Sequence, residues 1–379
     1  MYDQARGDIL FVILYSVVMA MALLSGCYLL FNKANAFVPH ITPPVRLRRW
    51  TGVFLVSIAL NHVWYMPLFF LTSSEDIEMV DLIGGLIQSV TLLPLAIVVL
   101  LAMLQDRKRR IWPAFVAMIP FVALGCVYIA HPSDLIAEIA LAYILLLYVL
   151  FTVYMVFAVR RYGQWLNNNY ADLENKKVWL SLLVTLGCML LFILYVLVRD
   201  IALTYVLHLT ELMLFCLLLW RVETLPLLES VPAEQAYDMP GSEAAQNTAD
   251  PSQAEQTSAM IANFDINSIE GLLAEQCVDT KLYLQHDLTL QQLAQTIGTN
   301  RSYLSQYFSR QGITYNTYIN DLRIRHFISL CQEAARNGQT IVAQQLASES
   351  GYHCYSTFSL AFKQRTGQSV SAWLRQTIK

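Results

Sequence analysis

Apolar and polar positions follow two regimes along the chain. Up to about residue 221 they form long apolar runs separated by short polar breaks. Seven runs stand out, at roughly 9–31, 51–71, 80–104, 111–130, 135–159, 178–198 and 201–220. Each holds about 20 residues, and at about 1.5 Å per residue that crosses the roughly 30 Å hydrocarbon layer of a bilayer. Backbone groups in lipid must be satisfied within their own segment, so each run is expected to be a helix. His131–Pro132–Ser133–Asp134 reads as the turn between the fourth and fifth runs, with Glu138 near the start of the fifth. The first run is not expected to be a cleaved signal. Arg6 ahead of it is set against Asp3 and Asp8, and the run outlasts the apolar core of a signal.

From about Ile266 the period changes to that of short amphipathic helices. Ile269, Leu272, Leu273, Gln276 and Val278 open this region, and Leu282–Tyr283–Leu284 follow. Thr289 with Gln292 three residues on is a capping box. Leu290, Leu293, Ala294 and Ile297 make the apolar face of the helix it starts, and Gly298 is placed to end it. Asn300 caps the next helix, in which Leu304 and Phe308 point to a core with Tyr303 and Tyr307 beside them. Ser302, Ser305, Gln306 and Ser309 recur at i, i+3, i+4 and i+7 on the opposite face. This is a helix–turn–helix whose second helix carries small polar side chains able to reach base edges in a major groove. Arg301 and Arg310 at its ends are placed for phosphate contact. A long apolar helix through Tyr315, Ile319, Leu322, Phe327 and Leu330 leads to a second such unit. There Leu346 and Ala347 precede a Gly351–Tyr352 turn, Phe358 and Phe362 pack inward, and Tyr355, Ser356, Ser359 and Lys363 face out.

Composition sharpens this division. Of 379 residues, 56% are hydrophobic and 14% charged, against about a quarter charged in soluble domains. That excludes a single soluble globule and a disordered chain. The net charge of −3 hides a partition. Residues 1–221 carry 15 basic and 13 acidic groups, residues 222–279 carry 11 acids and no base, and residues 280–379 carry 10 bases and 4 acids. The stretch 222–262, rich in Ala, Glu, Gln, Ser and Pro, cannot bury enough apolar surface to offset its ordering entropy and is expected to be a disordered acidic linker.

Lys and Arg also set orientation. Twelve of them, among them Lys33, Arg46, Arg109, Arg160 and Lys177, fall in the loops after runs one, three and five; the other side has Arg6 and Arg199. The bias places the N-terminus outside, the acidic loop Glu75–Asp81 outside, and the C-terminal region in the cytoplasm. Seven cysteines without a CxxC or Cys/His metal spacing read as reduced, inert thiols. No metal ligand set and no cofactor is expected. HExxH, GxSxG and Walker-type loops are missing, and the chain is read as a non-enzyme.

Ionisable residues at membrane depth are functional candidates. They are His62, beside Asn61, and the pair His208 and Glu211, which three-residue spacing puts on one helix face. The pair suits a bound ligand or a proton, or a polar contact between helices. Glu138, Arg199 and Asp200 are expected near the interface.

Two helix–turn–helix units joined by a long helix resemble the C-terminal DNA-binding domain of the AraC/XylS regulators. The matching segments are LTLQQLAQTIGTNRSYLSQYF, YINDLRI and QQLASESGYHCYSTFSLAFKQRTGQ, within about 266–379. The whole layout is similar to the membrane-anchored members of that family. The resemblance implies two recognition helices in successive major grooves, about one DNA turn apart. Carried over, the base-reading positions are Ser302, Ser305 and Gln306 in the first unit and Ser356 and Leu360 in the second. The second unit departs from the family pattern. Leu360 stands where Arg is common, Val342 where a capping Ser or Thr is usual, and Ala343 where a larger aliphatic is usual. Leu can touch a thymine methyl but cannot donate to guanine, so this helix is expected to contribute mainly phosphate contact through Lys363.

The expected fold is all-α. A seven-helix transmembrane bundle at 1–221 is joined by the linker at 222–262 to a double helix–turn–helix domain at 263–379. The expected function is DNA-binding transcription regulation, with the bundle sensing a ligand or the membrane state. Expected partners are double-stranded DNA, membrane lipid, a small-molecule ligand and a second copy in a homodimer. The alternative is a transporter or membrane enzyme with an autoregulatory DNA-binding tail.

Overall fold

The computed structural model describes residues 7–32, 34–39, 41–173, 176–198, 201–228 and 266–377. Lys33, Arg199, Asp200 and the linker from residue 229 to 262 lie outside the described residues. The regular elements among the described residues are all helical, and they divide into two compact units, 1–162 with 175–230, and 163–174 with 231–379.

In the first unit the helices are α1 (Ile9–Phe31), α2 (Val45–Tyr65, continued by a 3₁₀ turn to Phe69), α3 (Ser74–Met103), α4 (Trp112–Val116), α5 (Ile119–Ala130), α6 (Asp134–Asn169), α7 (Trp179–Val198) and α8 (Ile201–Thr224). Among the described residues, six segments are long and apolar enough to cross a membrane: α1, α2, α3, α4 with α5, α6 and α8. The sequence pattern counts seven. The remaining run forms α7, a helix of 20 residues.

The helix starts follow from local chemistry. Asp8 accepts from the amides of Leu10 and Phe11 at the start of α1. Ser73 caps α3, whose first turn carries Glu75 and Asp76 where the helix dipole favours acids. Helices α1 and α2 approach closely at Gly26 and Gly52. A Cβ on Gly26 would lie 2.7 Å from Val56 and one on Gly52 2.7 Å from Leu30, the small-residue contact on which membrane helices rely. The acidic stretch that opens at Val222 is packed at its start: Val222, Glu223, Leu225 and Leu228 are buried, and Glu223 pairs with Arg48 at 3.0 Å. Helix α6 has 36 residues, about 54 Å of length, well beyond a bilayer core. Its residues from Gly163 onward belong to the second unit.

The second unit contains α9 (Ile266–Leu273, continued by a π turn to Asp279), a 3₁₀ turn at Leu282–Leu284, α10 (Leu290–Thr296), α11 (Arg301–Arg310), α12 (Tyr315–Arg336), α13 (Ala343–Glu349), α14 (Tyr355–Thr366) and α15 (Val370–Thr377). It has two apolar cores joined by α12. Leu273, Leu293, Leu304, Phe308 and Ile319 centre the first, and Phe327, Cys331, Phe358 and Phe362 the second. The Thr289–Gln292 capping box forms as its spacing predicts, and Asn300 caps α11. Val342 leaves α13 without a side-chain cap. Gly351 turns at φ +87°, and a Cβ there would meet the Leu284 carbonyl at 2.8 Å, so the second turn requires glycine.

One charge lies at the junction of the two cores. Arg323 sits at i+4 from Ile319 and i−4 from Phe327, on the buried stripe of α12, with no exposed surface. Its Nε donates to the Tyr283 carbonyl at 2.7 Å, its Nη2 to the Gln285 carbonyl at 2.8 Å and its Nη1 to Asp172 Oδ1 at 3.0 Å. The Tyr352 ring covers the guanidinium. Asp172, in the loop after α6, also accepts from the Asp287 amide through Oδ2 at 3.0 Å. Asn316 donates to the carbonyls of Tyr170 and Ala171. Residues 169–172 are therefore built into the helix–turn–helix unit.

Candidate functional site

Two places in the molecule concentrate functional chemistry, one in each unit. In the second unit, α11 turns Leu304, Tyr307 and Phe308 into the core and leaves Ser302, Ser305 and Gln306 half-buried and Ser309 and Arg310 exposed. The polar face expected from the spacing is present. On α14, Phe358 and Phe362 are fully buried, while Ser356, Leu360 and Lys363 are exposed. Leu360, 52% exposed, is an apolar side chain on an otherwise polar face.

Arg301 departs from expectation. Its Nε and Nη2 both donate to Asn169 Oδ1, at 2.9 and 2.6 Å. Partial burial lowers its pKa. This cation, read as placed for phosphate contact, is held by the end of α6. Arg310 and Lys363 stay exposed.

In the first unit, a cavity of about 850 Å³ is walled mainly by apolar side chains, among them Phe11, Leu86 and Leu141. His62, His208 and Glu211 share its wall. The ligand atoms of these three lie within 4.8 Å of one another, the one such cluster of His, Cys, Asp or Glu among the described residues. His62 comes from α2, and His208 and Glu211 from one face of α8. The two imidazoles stand perpendicular with centroids 5.6 Å apart. His62 Nε2 is 3.6 Å from Glu211 Oε2. His62 Nδ1 lies 2.9 Å from the Ile58 carbonyl, and His208 Nδ1 lies 2.7 Å from the Thr204 carbonyl. A carbonyl can only accept, so both Nδ1 atoms carry hydrogen and each ring turns an Nε2 lone pair away from its own helix. Tyr15 packs on the His62 ring at 4.8 Å and donates its hydroxyl to the His62 carbonyl.

The structure thus brings together the three intramembrane residues singled out by sequence. It adds Arg323, Asp172 and Asn169, which sequence reasoning missed. For Arg323 a signal existed: a base at i+4 from Ile319 and i−4 from Phe327 cannot face water. Asp172 and Asn169 gave none, because they follow an apolar run assigned to the bundle. Glu138 is exposed near the start of α6.

Residues 293–376 match the family model described as a helix-turn-helix domain. It is of the AraC type, and the chain carries an AraC/XylS-type DNA-binding domain at its C-terminal end. No curated protein and no solved structure matches the chain significantly.

Proposed function

We propose, from the premise that residues 293–376 are an AraC-type DNA-binding domain, that this chain is a membrane-embedded, sequence-specific transcription regulator whose bundle senses a ligand. The observation that carries the sensing half is the convergence of His62, His208 and Glu211 on one cavity. An anchor needs no cavity, and polar groups at membrane depth are retained where they act. The span candidates and the Lys/Arg asymmetry support a multi-pass inner-membrane protein of a bacterium, with its DNA-binding domain in the cytoplasm.

In this reading α11 enters a major groove with Ser302, Ser305 and Gln306 toward the base edges, and Arg310 contacts the backbone. Helix α14 lies in the next groove, where Ser356 and Leu360 meet bases and Lys363 meets phosphate. An Arg at position 360 would read guanine; Leu offers only a surface for a thymine methyl. Sequence preference therefore resides mainly in the first half-site.

The test is a genome-wide occupancy map of the full-length protein in its membrane, beside a copy carrying Ser305→Ala and Gln306→Ala. Discrete peaks that vanish in the double variant support the assignment. Peaks indifferent to both substitutions refute it.

A further inference from the structure

We propose that His62, His208 and Glu211 form a binding site for one divalent transition-metal ion of the zinc class. The inference rests on the sensing reading and names the ligand of that cavity.

The case begins with hydrogen bonding. Both histidines spend their Nδ1 hydrogen on a carbonyl four residues back, so both Nε2 atoms are acceptors. Glu211 Oε2 is buried without a hydrogen-bond partner. The gap of 3.6 Å to His62 Nε2 is too long for a hydrogen bond. With Glu211 ionised, two imidazole lone pairs and a carboxylate thus face one another with no donor among them. Buried acceptors left in this state cost stability. A cation satisfies all three at once.

The donor set selects the cation. Two imidazole nitrogens and one carboxylate oxygen suit zinc, and also nickel, copper or iron, whereas calcium and magnesium call for oxygen ligands. Three protein ligands with a fourth position open is the arrangement of an exchangeable zinc site rather than a closed structural one. The carbonyls of Ile58 and Thr204 fix the tautomer and aim of the two rings, as outer partners of metal-bound histidines do. Ligand atoms around a tetrahedral ion at about 2.0–2.1 Å stand roughly 3.4 Å apart. The observed spread, within 4.8 Å, closes to that by side-chain rotation and a small approach of α2 and α8.

Charge around the cavity agrees. Asp81 lines it, and Glu75, Asp76 and Glu78 precede Asp81 at the start of α3. No Lys or Arg occurs between Arg49 and Arg107. An acidic approach to a low-dielectric cleft concentrates cations. Because the ligands come from α2 and α8, an ion draws those two helices together, a differential contact through which it can bias one arrangement of the bundle.

The experiment uses the full-length chain in lipid nanodiscs, stripped with chelator and titrated with Co²⁺. The visible ligand-field absorption is followed, the ion is displaced with Zn²⁺, and metal per chain is counted by elemental analysis. One ion per chain with a tetrahedral Co²⁺ spectrum is expected. Loss of an outer partner of a metal ligand costs about 10–100-fold in affinity, so His62→Ala, His208→Ala and Glu211→Gln should each lose more than about 100-fold. Cys216→Ser, at an exposed position on α8, should bind as the parent does. Binding no greater than that of empty nanodiscs overturns the proposal. So does binding indifferent to the three substitutions, or an octahedral spectrum. A DNA-occupancy assay with and without Zn²⁺ separates the two levels. Metal bound at the site without any change in occupancy leaves the site standing and refutes the sensing reading. No metal bound, with occupancy still altered by Glu211→Gln, refutes the metal and leaves the sensing reading standing.

Discussion

Two of the places where the molecule buries ionisable groups treat them in opposite ways. At Arg323 each guanidinium nitrogen has a partner, two carbonyls and one carboxylate in all, under an aromatic face. Around Glu211 the groups face one another without hydrogen bonds between them. A saturated charge holds a fold together, and its removal is felt as stability. An unsaturated one is, in the reading proposed above, where a cation binds. The two can be told apart by their hydrogen bonds, though both look alike as ionisable residues in an apolar setting.

The sharpest way to break this contrast is to remove one acid from each place. Asp172→Asn takes the counter-charge from a fully buried guanidinium, a change that costs about 3–5 kcal/mol in comparable pairs. Amide hydrogen exchange across residues 266–377 of the full chain should show protection lost by that order. Glu211→Gln removes no hydrogen bond from Oε2, so protection of α2 and α8 in the metal-free protein should hold within about 0.5 kcal/mol, the range of changes that disturb no defined interaction. Equal losses at the two sites would erase the distinction.

A second contrast lies within the DNA-binding unit, between base reading and phosphate holding. Gln306→Ala should cost about 1–3 kcal/mol at one base pair and relax the preference there. Lys363→Ala should weaken all sequences alike and reduce the slope of log affinity on log salt by about one. Affinity titrations over a panel of single-base operator variants at two salt concentrations measure both. Uniform loss from both substitutions would contradict the assignment of α11.

What the sequence revealed and what it hid follow from the range of the interactions. The capping box at Thr289 and the Asn300 cap act within three residues, so spacing alone reveals them. The spans declare themselves by length and apolarity. The cavity trio is different. His208 and Glu211 announce a shared face at i, i+3, but that His62 joins them depends on which side of α2 meets α8, and no local pattern carries that. Cys/His spacing along the chain cannot reach such a trio, for the same reason. Asp172 and Asn169 were hidden more deeply, since partition by hydropathy assigns the loop after the fifth run to the bundle. Chain segments need not pack with the region whose composition they share.

That loop gives the third prediction. Asn169 Oδ1 holds both Nε and Nη2 of Arg301. Asn169→Ala should release the guanidinium, raise DNA affinity at low salt and steepen the salt slope by about one phosphate's worth. Unchanged slope would mean that Arg301 faces no phosphate even when free.

The smallest expected effect comes from His326, a half-buried residue of α12 with neither a saturated set of partners nor an empty site. Burial, with help from the positive charge of Lys281, lowers its pKa below the ordinary value, against a small opposing pull from Glu349. The unfolded chain, with an ordinary histidine near 6.5, therefore takes up the proton first as pH falls. The neutral form's contribution to stability is whole above about pH 6.5 and is lost as pH drops through the lower folded value. Denaturation of the second unit at pH 7.5 and pH 5.5 should show a loss on acidification that His326→Gln reduces. All other groups are common to both proteins, so the difference between the two losses isolates His326. If the variant loses as much stability as the parent, this imidazole is not desolvated. The intermediate class it represents, a charge tolerated without being either held or used, would then be empty in this domain.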